Sequence, residues 1–218
     1  MIVIATNNAH KVHELGLILP EYKLCTPKDL GLTFYYEETG NTFAENAFGK
    51  AQALYNQLQE KAPIDQGSYT VIADDSGVCV EALDGAPGVY SARFGYDPEG
   101  PVLDDAGRTA LLLERMKGTT NRRAWYVCCM VAYFGPDRFI SVQEPWYGTL
   151  TTEVQQGTTG FGYDPVMYIP EFGCTVARMS EADKAKVSHR GKATRSLVRL
   201  LSKPENEGSH RNDASRLK

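Results

Sequence analysis

Asp74 and Asp75 stand at the end of a β-branched, apolar run, Tyr69-Thr70-Val71-Ile72-Ala73, and Ser76 and Gly77 follow at once. The run reads as a buried strand. Two strands hinged at Asp75-Ser76-Gly77 are therefore expected across residues 70–83, with the aspartates at the carboxyl end of the first, where open α/β sheets place ligands. Two buried like charges side by side are costly unless a cation compensates them. That points to a metal site, a general base, or both. Asp-Ser-Gly is also ordinary turn chemistry, so the meaning of the pair depends on its partners.

Four other groups are candidates for partnership. Thr6-Asn7-Asn8-Ala9-His10-Lys11 joins a first strand to a first helix, and backbone N–H groups at a helix start, with Asn and Lys beside them, suit an anion. Glu37-Glu38-Thr39-Gly40 precedes Thr42 and Glu45, a capping-box spacing, and then Asn46 and Lys50, which share a helical face. That face can aim an amide and an ammonium at a phosphate while Glu37 or Glu38 enters from the loop. In the run from Gly157 to Pro165, glycines surround Phe161, Tyr163 and Asp164, a setting that can hold an aromatic as a stacking platform for a planar base. Lys184 and then Ser188-His189-Arg190-Gly191 open the last helix with N–H donors. Each group alone also reads as a cap, a hairpin or a basic turn. Together they supply carboxylates for Mg²⁺, cations for phosphates and an aromatic for a base. Neither a Walker loop, nor a Gly-x-Gly-x-x-Gly opening, nor a zinc ligand set is present.

The elements that must position these groups follow from periodicity. A strand is expected over Met1–Ala5 and a helix over Ala9–Leu19, stopped by Pro20. Phe43, Ala47, Ala51, Leu54 and Leu58 paint one face of a helix over Thr42–Gln59. A third helix over Ala106–Met116 has Asp104 and Asp105 as candidate caps and Gly118 as its stop. Ala124–Phe134 is apolar on both alternating faces, the mark of a central strand. Across Gly135-Pro136-Asp137 it meets a strand over Arg138–Gln143, with another over Trp146–Glu153 and a last helix from about Lys192. Strands and helices mix without strict alternation, so a mixed sheet is expected.

The 218 residues suffice for one sizeable α/β domain or two lobes sharing a core. Residues 203–218 form a polar, aperiodic tail, expected to be disordered. A net charge of −4 argues against nucleic acid as the main partner, while leaving room for a small anion in a lysine-lined cleft. Five cysteines without a Cys-x-x-Cys pair suit a reducing compartment. With no signal peptide and no membrane-length apolar run, a cytoplasmic protein is expected.

Over residues 1–202 the order and spacing of these motifs resemble the inosine triphosphate pyrophosphatases, which act on noncanonical purine nucleoside triphosphates. Thr6-Asn7-Asn8-Ala9-His10-Lys11 is similar to the family's opening Thr-x-Asn-x-x-Lys, and Glu37–Gly40 with Phe43, Glu45–Ala47 and Lys50 to its second block. Ala73–Gly77 with Gly85–Arg93, then Gly160–Pro165, then Ser188–Gly191 complete the set. Thr159 stands where many members have glycine, and residues 63–68 lengthen a loop. The resemblance implies a single two-lobed α/β domain, its elongated mixed sheet flanked by helices and its lobes enclosing a nucleotide cleft. It further implies a homodimer and Mg²⁺-dependent hydrolysis of ITP, dITP or XTP to the monophosphate and pyrophosphate. It makes Asp75 the general base and Asp75 with Glu37 or Glu38 the Mg²⁺ ligands, with Asp74 a possible helper. It assigns Thr6–Lys11 (above all Asn8 and Lys11), Lys50 and Ser76 to the triphosphate, and Phe161, Gly162, Tyr163, Asp164, Lys184, His189 and Arg190 to the nucleoside.

Overall fold

A computed structural model describes residues 1–61 and 69–202; the expected loop insertion at 63–68 and the polar tail lie outside them. In chain order the elements are β1 (Ile2–Ile4), α1 (Ala9–Ile18), β2 (Leu24–Cys25), α2 (Phe43–Lys61), β3 (Thr70–Val80) and α3 (Asp105–Arg115). Then come β4 (Arg123–Gly135), β5 (Arg138–Leu150), β6 (Met167–Ile169), β7 (Cys174–Thr175), α4 (Glu181–Val187) and α5 (His189–Leu201). Seven strands form one sheet in the order β2-β1-β3-β4-β5-β6-β7. β1 runs parallel to β2 and β3, and the other pairs are antiparallel, so the sheet is mixed.

Helices cover both faces. On one, Ala47, Leu54 and Leu58 of α2 pack on Val71, Ala73 and Val131. On the other, Leu15 of α1 and Ala193 and Leu197 of α5 pack on Ile4, Ile72 and Met130. A third core, built on Val78, Val80, Leu112, Met116, Trp146 and Ile169, fills the far ends of β3 and β4. From Ala124 onward β4 is apolar, and it lies between these cores as a strand buried on both faces must. Truncating a fully buried leucine such as Leu54 to alanine costs about 2–5 kcal/mol.

The structure departs from the sequence expectation in two strands. β3 does not turn at Asp75-Ser76-Gly77 but pairs with β4 straight through it, Asp75 opposite Cys129 and Gly77 opposite Val127. The long apolar β4 offers a continuous ladder that outweighs local turn preference. Gly77 serves close approach instead: a Cβ there would lie 2.4 Å from the Gly88 carbonyl oxygen and from Ser91 Oγ. β5 likewise runs unbroken through Glu144-Pro145. β6 covers only Thr149 and Leu150, so β5 is an edge at Pro145, where a sheet tolerates proline. The last helix starts three residues earlier than expected, because Ser188 caps it by accepting a hydrogen bond from Gly191 N.

Candidate active site

The site begins where β1 stops. β1 pairs with β3 only as far as Ile72, and the Ala5 amide makes the last bond, to the Ile72 carbonyl at 2.8 Å. One step further along β3, the Asp74 carbonyl would meet the next residue of a longer β1. It receives two ammonium groups instead, Lys50 Nζ at 2.6 Å and Lys11 Nζ at 3.4 Å. Beyond Gly77 the edge is occupied again, since Val78 N donates to Ser91 Oγ and Val80 N to the Ala86 carbonyl. A short stretch of open strand edge thus lies at the floor of a cleft of about 400 Å³.

Continuity of β3 also answers the charge problem. Successive side chains of a strand point to opposite faces, so the two carboxylates turn away from one another and make different direct contacts, while the charges of Lys11 and Lys50 act on both. Asp75 faces α2. Its Oδ2 accepts from Asn46 Nδ2 at 2.9 Å and its Oδ1 from Ser76 N at 2.9 Å, while Lys50 Nζ stands 3.8 Å away. Asn46 and Lys50 are delivered together by α2, whose capping box is formed: Glu45 N donates to Thr42 Oγ1, and Thr42 N to Glu45 Oε2. Burial raises the Asp75 pKa and the nearby Glu38 carboxylate adds to this, against the pull of Lys50 and Lys11. Lys50 is itself held charged despite burial, by Asp74, Asp75 and Glu38.

Glu38, not Glu37, enters the cleft. Its Oε1 lies 2.5 Å from Lys50 Nζ, and Arg93 holds it from the other side through the Glu38 carbonyl and Oε2. Glu37 is exposed and does not line the cleft. The pair Asp75 and Glu38 brings two carboxylates to one place, the Glu38 charge opposing that of Asp75, and such a pair of oxygen donors fits a hard divalent cation. Mg²⁺ is commonly held by one or two carboxylates, with substrate phosphates completing its shell.

Asp74 faces α1 and α5 and is 1% exposed. Its Oδ2 takes Lys11 Nζ at 3.0 Å and Arg190 Nη2 at 3.1 Å. Burial works against its charge, but Lys11, Arg190 and Lys50 together hold its pKa far below the ordinary carboxylate range. It does not line the cleft; it anchors residues that do.

The opening loop shapes one wall. Asn8 caps α1 by accepting from His10 N and Lys11 N, Thr6 Oγ1 accepts from Asn8 N, and Asn7 Nδ2 donates to the Phe34 carbonyl. Thr6, Asn7, Asn8, His10 and Lys11 line the cleft; Ala9 does not. At the opposite end Phe161 stacks on His10, ring centroids 5.0 Å apart, with Lys184 Nζ 5.0 Å from its centroid. The glycine loop carrying it is fastened at every turn. Phe161 N donates to Asp164 Oδ2, Gly162 N to Asp105 Oδ2 and Thr109 Oγ1 to the Gly162 carbonyl. Asp164 also accepts from Tyr126 OH at 2.8 Å and from Lys184 Nζ at 2.7 Å. Tyr163 lines the cleft yet spends its hydroxyl on the Ser91 carbonyl. His189 is buried and stacked on Tyr126 at 4.7 Å, and among the described residues its Nδ1 has no hydrogen-bond partner. Burial, with Arg190 and Lys184 close by, holds its pKa well below 6.5, so the ring is neutral.

Arg190 departs most from its sequence reading as a free donor. Its guanidinium is committed to Asp74, to Glu14 and to Ser76 Oγ. Apart from Ala9, Glu37, Asn46 and Asp74, every residue expected at the site lines this one cleft, including Ser76, Gly162 and Lys184. Sequence reading missed Glu14, Arg93, Asp105, Thr109 and Tyr126. A signal existed for Glu14, three residues after Lys11 and so on the same face of α1; for Arg93 there was none beyond its place in the Gly85–Arg93 block.

The chain has marked similarity to known proteins. A model of the Ham1 family matches residues 2–200. The dITP/XTP pyrophosphatase of Treponema denticola is 44% identical over 200 residues, covering 92% of this chain and 97% of the relative. That of Leptospira interrogans is 44% identical over 203 residues, covering 92% and 96%. Among solved structures, the Ham1 protein of Staphylococcus aureus superposes with a TM-score of 0.76 at 36% identity, covering 92% and 97% of the two chains. A HAM1 protein from Coxiella burnetii superposes with the same score at 31% identity, covering 92% and 97%. With its mixed sheet, its cleft at the open edge of β3 and this similarity along nearly its whole length, the chain belongs to the Ham1 family.

Proposed function

We propose that this protein hydrolyses the noncanonical purine nucleoside triphosphates dITP, ITP and XTP to the monophosphate and pyrophosphate, with Mg²⁺ as cofactor. The observation that carries the reading is the division of one cleft into two chemistries. Lys11, Lys50, Asp75 and Glu38 gather at the open strand edge, while Phe161, Asp164, Lys184 and His189 gather at the other end. The relatives named dITP/XTP pyrophosphatase support the same substrate class.

The triphosphate lies along Lys11 and Lys50, which exchange part of their contacts with Asp74 and Glu38 for phosphate oxygens. Asp75 would hold Mg²⁺ together with Glu38, and the ion, when bound, neutralises charge on the phosphates. Asn46 and Ser76 fix the Asp75 carboxylate, which would orient a water beside the α-phosphorus. The water attacks that phosphorus, Asp75 takes its proton, and the α–β anhydride bond breaks with pyrophosphate leaving. Phosphoryl transfer depends mostly on positioning and charge neutralisation, and the fixed Asp75 carboxylate beside Lys11 and Lys50 supports that reading. At the other end Phe161 stacks on the base. Hypoxanthine and xanthine carry an O6 acceptor where adenine carries an amino group, so a ring N–H of neutral His189 at the start of α5, whose Nδ1 has no partner among the described residues, would favour the 6-oxo bases.

The test is incubation with ITP, dITP, XTP, GTP and ATP, with and without Mg²⁺, measuring pyrophosphate apart from orthophosphate. Pyrophosphate from ITP, dITP and XTP, dependent on Mg²⁺, is expected; orthophosphate as the main product, or equal rates on ATP and ITP, would overturn the reading. We further propose a cytoplasmic homodimer, for which light scattering should return twice the chain's 24.1 kDa. Among the described residues no helix is long and apolar enough to cross a membrane.

A further inference from the structure

One carboxylate of the cleft region has no part in the chemistry above. Glu14, on α1, is mostly buried, and its two oxygens hold two different cations from two different helices. Oε1 lies 2.6 Å from Lys184 Nζ of α4, and Oε2 accepts from Arg190 Nη1 of α5. Both cations also face the Phe161 ring, Lys184 Nζ at 5.0 Å and the Arg190 guanidinium carbon at 6.0 Å from its centroid. Lys184 continues to Asp164, which holds Phe161 N, and Arg190 continues to Asp74, which holds Lys11. The result is an unbroken chain of alternating charge, Lys11–Asp74–Arg190–Glu14–Lys184–Asp164, from the phosphate end of the cleft to the base platform. Three cations and three anions balance it, and Glu14 is its middle carboxylate.

We infer that Glu14 is a positioning residue for base recognition, holding Lys184 and Arg190 in the arrangement that presents Phe161 and the start of α5 to the purine. Without its charge, two buried cations beside one ring have only Asp164 and Asp74 to separate them, and the chain carries a net positive charge. Lys184 would then be free to swing with Asp164 and so shift Phe161. Lys11 would keep Asp74, and Asp75 and Lys50, on the other face of β3, would keep all their partners. The loss should therefore fall on the base end and spare the phosphate end.

This inference rests on the proposed function, and the experiment separates the two. Glu14→Gln should raise the KM for ITP tenfold or more with a smaller change in kcat, and lower the preference for ITP over ATP by a similar factor. By calorimetry IMP should bind at least tenfold more weakly than to the wild type, while pyrophosphate binding changes less than threefold. Glu14→Asp, which keeps the charge, should recover most of the IMP affinity. If Glu14 acts through Lys184, Glu14→Gln added to Lys184→Gln should weaken IMP no further than Lys184→Gln alone. Equal loss of IMP and pyrophosphate, unchanged IMP affinity, or additive effects in the double variant would overturn the inference. Where Glu14→Gln folds poorly, the Glu14→Gln, Lys184→Gln double variant, which leaves one fewer buried cation unpaired, is compared with Lys184→Gln alone, and an IMP affinity well below that of Lys184→Gln would overturn the inference. Failure of the wild-type chain to release pyrophosphate from ITP would instead sink the functional reading.

Discussion

Asp74 and Asp75 are neighbours in sequence and opposites in physics. The Asp75 carboxyl holds its proton more tightly in the folded chain than in the unfolded one, because burial and Glu38 both oppose its charge. Its stabilising contribution is present below the unfolded value of about 3.9 and is lost as pH rises through the raised folded value. At neutral pH its charge therefore costs stability. Asp75→Asn should lower turnover at least about 10²-fold while melting at or above the wild-type temperature, and Mg²⁺ should stabilise it less than the wild type in a thermal scan. Asp74 has the reverse sign: its pKa is depressed, so its contribution is present above about 3.9 and lost as pH falls through the folded value. Asp74→Asn strands Lys11 and Arg190 and should cost roughly 3–5 kcal/mol in a urea unfolding series. His189 is a base with a depressed pKa. Its contribution is full above about 6.5 and drains away as pH falls from there toward the folded value. His189→Phe, which can keep the stack on Tyr126, should flatten that part of the stability curve between pH 6.5 and 5, whereas an unchanged slope would show that the group does not titrate on unfolding.

Elements decide which of these side chains meet. The edge of β3 is closed beyond the site by the segment around Ser91, whose hydroxyl accepts from Val78 N and donates to the Gly88 carbonyl. That approach depends on Gly77 having no side chain. Gly77→Ala should therefore cost about 1–3 kcal/mol by overpacking and lower activity through Arg93 and Glu38, which belong to the same side of the cleft; a melting temperature equal to wild type would refute the packing argument. Much of this was readable in advance. The period of Phe43, Ala47, Ala51, Leu54 and Leu58 marked α2, the two-faced apolar run marked β4, and Thr42 with Glu45 marked the cap, because each is a local pattern. The unbroken passage of β3 through Asp-Ser-Gly was not readable, since only β4 lying alongside selects strand over turn. Nor was the commitment of Arg190, whose partners Glu14 and Asp74 lie 176 and 116 residues away in sequence. Residue types suggested what chemistry was on hand; long-range pairing set which atoms were free to perform it.

At the scale of the molecule, the net charge of −4 says little about the cleft, where Lys11, Lys50, Lys184 and Arg190 converge. Each of these cations is already paired with a carboxylate, so none of the four stands as unpaired positive charge in the cleft. On the proposed function, a triphosphate would compete with those carboxylates for Lys11 and Lys50. The feature that makes room for it is the shortness of β1, three residues beside the eleven of β3. Unpaired strand edges are where chains recruit one another into aggregates, and lysines are a common guard against this. Lys11 and Lys50, seated on the Asp74 carbonyl, are therefore expected to guard this edge as well as to bind substrate on the proposed function. The double variant Lys11→Met, Lys50→Met should pellet, on sedimentation after mild heating, at concentrations where either single variant stays in solution. Substitution at these lysines would then be selected against twice, once for the reaction lost and once for the aggregate gained.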